Sequence, residues 1–175
     1  PGTYTVQETD PPGFRSVAAH PGSTGGVALD ANTIADIPLP ADISSVDNDF
    51  GDIQPVDILG TVFEDLNLNG LYDAGEPPLV GITVTLTGGA EPLVAVTDGT
   101  GAFAFLEVLP GSYVLHEENP AGYFSTTTDD LPVTAIYPGQ VYEGNNFGDA
   151  RYVQVGGVVF EDMSLDGVRD ADEVG

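Results

Sequence analysis

The chain contains no cysteine and no lysine, and its only strong cations are Arg15, Arg151 and Arg169. Against them stand 28 acidic residues, for a net charge of −25 over 175 residues. Each shortage closes a class of function. Without cysteine there are no disulfides and no thiolate metal sites. Three cations cannot neutralise a phosphate backbone, which excludes nucleic acid as a partner, and they are too few for docking on an anionic membrane surface. No stretch has the layout of a transmembrane span or a signal peptide, so no membrane insertion is expected and any export signal falls outside these residues.

Catalytic groups are equally scarce. Of the two histidines, His116 falls in an expected strand and its counterpart in a sister repeat is Gln7. His20 falls in a Gly/Ser-rich stretch expected to be a mobile loop. Without lysine there is no phosphate-binding G-x-x-x-x-G-K loop. Asp49-Phe50-Gly51 spells a kinase triplet with none of its companion motifs. No nucleophile is poised beside a base, so the chain is not expected to be an enzyme.

What is present is enough apolar material for a core. Hydrophobic residues make up 41% of the chain, so its acidity is not that of a disordered tail, and 23 Gly with 14 Pro suit a turn-rich all-β protein. The sequence also repeats itself. Val56–Glu76 is echoed by Val153–Glu173 at an offset of 97 residues, and Asn48–Asp52 is echoed by Asn145–Asp149 at the same offset. Pro1–Glu8 is echoed by Pro110–Glu117 at an offset of 109, so the opening unit is 12 residues longer, with the insertion expected around Ala18–Asn32.

Three units follow: residues 1–55 as the back part of one repeat, 56–152 as a complete repeat, and 153–175 as the front of a third. The reading favoured is a segment of a longer array. A second arrangement joins the front of one copy to the back of another in a fibre.

Within the complete unit, Ile82–Leu86, Ala102–Phe105 and Tyr113–Glu117 alternate apolar and polar residues at the strand period. With Leu59–Phe63, Leu93–Thr97, Val133–Tyr137 and Val141–Phe147 they make about seven short strands, the count of an Ig-like β-sandwich. Phe147–Val153 passes from one expected strand to the next without a Gly/Ser linker, so end-to-end sandwiches with little swivel are expected.

One motif carries chemistry. Asp65, Asn67, Asn69, Gly70, Leu71, Asp73 and Glu76 fill slots 1, 3, 5, 6, 7, 9 and 12 of a D-x-[DN]-x-[DN]-G-x5-E calcium loop. Calcium takes six to eight oxygens at about 2.3–2.6 Å, and alternate residues of a tight loop turn their oxygens to one point. The third unit repeats the pattern as Asp162, Ser164, Asp166, Gly167, Val168, Asp170 and Glu173, with Ser164 a weaker ligand. Strand-like Gly60–Phe63 precedes the first loop and Pro77-Pro78 follows it, so an EF-hand-like loop without helices is expected. Asp98, Asp129, Asp130, Asn145, Asn146 and Asp149 read as solvated turn residues rather than a further site, and Glu64 and Asp57 as flanking acids.

The string Phe63–Leu86, with Thr97–Phe105, Leu109–Tyr113 and Asn146–Gly148, resembles the B-type repeat of serine-aspartate-repeat bacterial surface adhesins. The resemblance implies a prealbumin-like or Cna-B-like sandwich, tandem and calcium-stiffened, at the cell surface or outside the cell. There it would hold a ligand-binding head away from the cell as a rigid rod. It carries over Asp65, Asn67, Asn69, Leu71, Asp73 and Glu76 as calcium ligands, with Asp162, Ser164, Asp166, Val168, Asp170 and Glu173 in the third unit. The implied partners are calcium and neighbouring repeats.

Related collagen-adhesin and pilin domains are stapled by a Lys–Asn isopeptide bond, which a chain without lysine cannot form. Two other functions stay open on the sequence: a ligand-binding adhesin module, for which Phe14, Tyr123, Phe124 and the Ala18–Asn32 insertion are the candidate patch, and an accessory domain of a secreted enzyme.

Overall fold

The computed structural model describes residues 1–173 and is all β, with no helix among the described residues. The sandwich lies in residues 56–151. Its first strand of this stretch, Val56–Glu64 (β6), alternates Val56, Ile58, Gly60 and Val62 toward the core. Along one side it pairs antiparallel with Ala102–Val108 (β9). Along the other side Val141–Tyr142 (β13) and Phe147–Arg151 (β14) run parallel to it in succession. Tyr123–Ser125 (β11) closes that sheet on the far edge of β14. The facing sheet is ordered Asp130–Ala135 (β12), Gly111–Glu117 (β10), Thr83–Thr87 (β7) and Leu93–Val96 (β8).

The strand alternation fixes what lies between the sheets. Val84 and Leu86 from β7, Phe103 and Phe105 from β9, and Tyr113 and Leu115 from β10 are all buried. Phe103 sits between Phe105 and Phe147, with ring centroids 6.1 and 6.0 Å away. Thr97 is buried as well and keeps its hydroxyl paired: Oγ1 donates to the Leu79 carbonyl at 2.7 Å and accepts the Ile82 N–H at 2.9 Å. Such pairing is what makes a buried hydroxyl tolerable.

The structure corrects the expected strands in three places. Val141–Phe147 is not one strand but two, because Asn145 and Asn146 interrupt it with side chains that replace ladder bonds. Asn145 Nδ2 donates to the carbonyls of Leu59 and Tyr142, both at 2.9 Å, and Asn146 Oδ1 accepts the Thr61 N–H at 3.1 Å. Expected Val133–Tyr137 lies earlier, at Asp130–Ala135, leaving Ile136 and Tyr137 exposed ahead of the Pro138-Gly139 turn. Tyr123–Ser125 forms a strand that its three-residue length hides from periodicity. The complete unit therefore has nine strands, β6 to β14, rather than seven.

The opening unit builds part of the same pattern. Gly2–Gln7 (β1), Val27–Asp30 (β3) and Thr33–Leu39 (β4) form a sheet ordered β1-β4-β3, while Arg15–His20 (β2) pairs with Asp49–Ile53 (β5). His20 is thus in a strand, paired with Asp49, and not in a mobile loop. Only Gln54 and Pro55 separate β5 from β6. Residues 152–173 contain no strand, contrary to the strand expected near Val153: Val155 is 98% exposed, and nothing among the described residues pairs with it as β9, β13 and β14 pair with β6. The last two residues of the expected third unit, 174–175, lie outside the described residues.

Candidate metal centre

The loop Asp65–Glu76 hangs from the end of β6. Its two ends are clamped together: Glu64 N–H donates to the Pro77 carbonyl at 2.8 Å, Leu79 N–H to the Val62 carbonyl at 2.9 Å, and Phe63 bridges Pro78. Asp65 N–H donates to the Asp149 carbonyl at 2.8 Å, which fixes the loop to β14 as well.

Within the loop, Asp65 is the hub. Its buried carboxylate accepts the N–H groups of Leu68 at 2.7 Å, Asn69 at 3.2 Å and Gly70 at 2.7 Å. Burial alone would push this carboxyl up. The Thr126 hydroxyl beside it and the N–H groups of Gly70, Leu68 and Asn69 outweigh burial and hold it below the ordinary carboxylate range. Glu76 closes the loop, its Oε1 accepting the Leu66 N–H at 3.0 Å and its Oε2 the Asp73 N–H at 2.9 Å.

Slots 3, 5 and 9 meet at one atom. Asn67 Nδ2 and Asn69 Nδ2 donate to Asp73 Oδ2 at 2.9 and 2.8 Å, and these two bonds hold the Asp73 carboxyl low against burial and the neighbouring Asp65 charge. The turn requires Gly70 at φ 72°, as its slot implies; Leu68 also sits at φ 63°, which the sequence gives no sign of.

The second loop reproduces this pattern bond for bond over most of its length. Asp162 accepts the N–H groups of Asp166 at 3.3 Å and Gly167 at 2.8 Å, and Glu173 those of Met163 at 2.8 Å and Asp170 at 2.9 Å. Val168 N–H donates to Asp166 Oδ1 at 2.8 Å, as Leu71 N–H donates to Asn69 Oδ1 at 2.7 Å. Leu165 and Gly167 take φ of 59° and 75°. These donors, Gly167 first for Asp162 and Asp170 first for Glu173, hold both carboxyls low. The departure is Ser164, whose hydroxyl turns to Asp162 at 3.3 Å, so slots 3 and 9 do not meet.

The residues fit a hard cation. Every side-chain ligand in the first loop is an oxygen donor, and Leu71 adds a carbonyl. The Asn67 and Asn69 oxygens each accept a backbone N–H, from Asn69 at 3.0 Å and Leu71 at 2.7 Å, and each keeps a second lone pair. Among the described residues no arginine or histidine pairs with the loop carboxylates. Arg151 instead takes Glu64, Nε to Oε1 at 2.8 Å, and Asp57 Oδ1 accepts the Glu107 N–H at 2.9 Å, so neither flanking acid turns toward the loop.

Of the acids read as solvated turn residues, two lie elsewhere: Asp129 is half-buried, its carboxylate bonded to Asn119 Nδ2 at 3.2 Å and to the Ser125 hydroxyl, and Asp149 is in the core. Asp98 does cap its turn, exposed, and Asp130 is exposed and bonded to His116 at 2.8 Å. Asp149 is fully buried, and burial, then the Asp129 charge, raise it to about 6. Glu117, passed over on the sequence, is buried on β10, where burial, then Asp149, Asp129 and Glu118, push it up to about 8. The signal for both was present: each stands at an inward position beside apolar residues of its strand.

The chain is similar to proteins already known. Serine-aspartate repeat-containing protein F of Staphylococcus epidermidis is 29% identical over 99% of the chain, and serine-aspartate repeat-containing protein E of Staphylococcus aureus 27% over 99%. The chain spans 12% and 16% of the length of those relatives. The minor pilin GBS52 of Streptococcus agalactiae superposes with a TM-score of 0.41 at 16% identity, over 58% of this chain and 48% of its own. The family model of the SdrD B-like domain matches residues 57–132, the stretch that holds the Asp65–Glu76 loop, most of β6 and all of β7 to β11. Over residues 57–132 the chain is thus similar to the SdrD B-like domain.

Proposed function

We propose that this chain is a structural repeat of a cell-surface or secreted protein, stiffened by calcium at its 12-residue loops and serving as a rigid spacer between other parts of that protein. The observation that carries the reading is the meeting of Asn67, Asn69 and Asp73 at one oxygen above the Asp65 hub, in a loop whose backbone bonds recur at Asp162–Glu173. The Asp65, Asp73 and Glu76 carboxylates repel one another in a chain of net charge −25, and a divalent cation turns that repulsion into a crosslink. Because the first loop is clamped to β6 and β14, ordering it stiffens the sandwich end from which the chain continues. Neighbouring repeats are the partners this reading implies, joined through connections as short as Gln54-Pro55.

Binding that favours the folded state contributes about 2.7 kcal/mol when free ligand is a hundred times Kd. Thermal melting and limited proteolysis in millimolar calcium and in chelator test the proposal. A large rise in melting temperature and in protease resistance with calcium is expected, and coincident curves would overturn it.

A further inference from the structure

The covalent connection between the opening unit and the complete one is Gln54-Pro55, and the complete unit grips it from the β13 side of β6. The Pro55 carbonyl accepts the Gly139 N–H at 3.1 Å, and the Asp57 N–H donates to the Gln140 carbonyl at 3.2 Å. A Cβ on Gly139 would come within 2.7 Å of Gln54 Oε1, so Gln54 is packed on that turn.

The other side of β6 meets a bulge. Val56 pairs with Val108 and Ile58 with Phe105, which leaves Leu106 and Glu107 together opposite Asp57. A bulge takes the backbone groups of its extra residue out of the ladder. Glu107 sits there at φ 54°, and both of its freed groups find partners. Its N–H donates to Asp57 Oδ1 at 2.9 Å, within the same unit. Its carbonyl accepts Arg15 Nη1 at 2.7 Å, and Arg15 belongs to the opening unit. Arg15 starts β2 opposite Ile53, the last residue of β5, so the contact stands beside the point where the chain crosses from one unit to the next.

Two observations give this bond weight. The chain has three arginines against 28 acids, yet among the described residues Arg15 forms no ion pair and spends its guanidinium on a neutral carbonyl of the following unit. Domains swivel unless a large apolar interface holds them, and here a cleft of about 290 Å³ separates Arg15 from Leu93, Leu106, Leu109 and Tyr113. With that space open, orientation depends on a few polar bonds, and one from a charged donor is the strongest kind available.

The contact is peculiar to this pair of units. The counterpart of Arg15 in the complete unit, 109 residues on, is Phe124, which stacks on Tyr152 with ring centroids 5.3 Å apart. The repeat scaffold therefore does not require an arginine at that position.

We propose that Arg15 is a strut between the first two units, fixing their relative orientation by holding the bulge carbonyl of Glu107, with Asp57 keeping the bulge in shape. This deepens the spacer reading, on which its purpose rests, by naming the surface through which one repeat is braced on the next. The strut lies at the Val56 end of β6, whereas the Asp65–Glu76 loop hangs from the Glu64 end, so the bracing is independent of calcium.

Distance measurement between two spin labels by pulsed electron paramagnetic resonance tests this on the full chain. With no native cysteine, Leu29→Cys and Val96→Cys, both exposed, place one label on each unit. The parent is expected to give one narrow distance distribution in calcium and in chelator alike. Arg15→Ala is expected to at least double its width, while Arg151→Ala, which removes the same charge at the far end of the complete unit, leaves it unchanged. An unchanged width for Arg15→Ala overturns the inference, as does equal broadening by Arg151→Ala. A parent distribution that is narrow in calcium and broad in chelator assigns the stiffness to the ion and also overturns it. If Arg15→Ala does not fold, Asp57→Ala, which releases the bulge, decides in its place, and an unchanged width again overturns the strut. Failure of the calcium reading shows separately, as coincident melting curves with and without the ion.

Discussion

Leu68 and Gly70 lie two residues apart with φ of 63° and 72°, and the N–H groups of both donate to the Asp65 carboxylate at 2.7 Å. Glycine bears this conformation freely; a leucine in it costs about 1–2 kcal/mol. Since the Leu68 side chain is largely exposed, little packing is lost by replacing it. Leu68→Asn, a residue that tolerates the left-handed region, is expected to raise stability by about 0.5–1 kcal/mol. Chemical denaturation in chelator measures this, and an unchanged or lower midpoint would count against the strain.

Asp65 and Asp73 play different parts in the same loop. Asp65 satisfies three N–H groups in a buried setting, so Asp65→Ala is expected to cost about 3 kcal/mol even in chelator. Asp73 is exposed, and Asp73→Ala is expected to change chelator stability by less than about 0.5 kcal/mol while diminishing the calcium-induced rise in melting temperature. Parallel melts of both variants, with and without calcium, separate scaffold from ligand; equal losses in chelator would refute the division.

Gly60 faces inward on β6 where a Cβ would lie 1.9 Å from the Asn145 carbonyl oxygen and 2.4 Å from the Phe103 ring. One neighbour is backbone and the other is locked in the aromatic stack, so neither yields. Gly60→Ala is expected to destabilise by about 3 kcal/mol, at the high end for overpacking. A denaturation midpoint within error of the parent would show that the β13–β14 break relaxes.

Asp98 Oδ1 accepts the Thr100 hydroxyl at 2.7 Å, the Thr100 N–H at 2.8 Å and the Ala102 N–H at 3.1 Å, and these bonds, the hydroxyl first, hold its carboxyl below 3.8. A carboxyl lowered on folding stabilises the folded state above its unfolded pKa and ceases to do so as pH falls through the folded value. The parent is therefore expected to exceed Asp98→Asn in stability above about pH 4, with the gap closing in more acid solution. A gap that stays constant from pH 6 to pH 2 would contradict this.

The strands that alternate strictly were legible because one face of each is buried: Ile82 to Leu86, Phe103 with Phe105, and Tyr113 with Leu115 all point where the period places them. The loop was legible because its spacing is local, so the second copy shows most of the same backbone bonds even where no strand leads into it. What escaped were features made by contacts distant in sequence. Asn145 and Asn146 break a strand by bonding to Leu59 and Thr61, more than 80 residues earlier. Tyr123–Ser125 is a strand only because β14 offers it an edge. Glu117 is different: its inward phase on β10 was legible beside Tyr113 and Leu115, and its charge alone led to its being passed over.

The parallel pairing of β6 with β13 and β14 has a mechanical consequence. The chain enters the sandwich at Val56 and leaves at Arg151, on neighbouring strands that run the same way. Tension applied at those two points slides the strands past one another, loading every hydrogen bond between them at once. An antiparallel hairpin gripped at its open end would yield one rung at a time. Pulled lengthwise, this domain resists in shear.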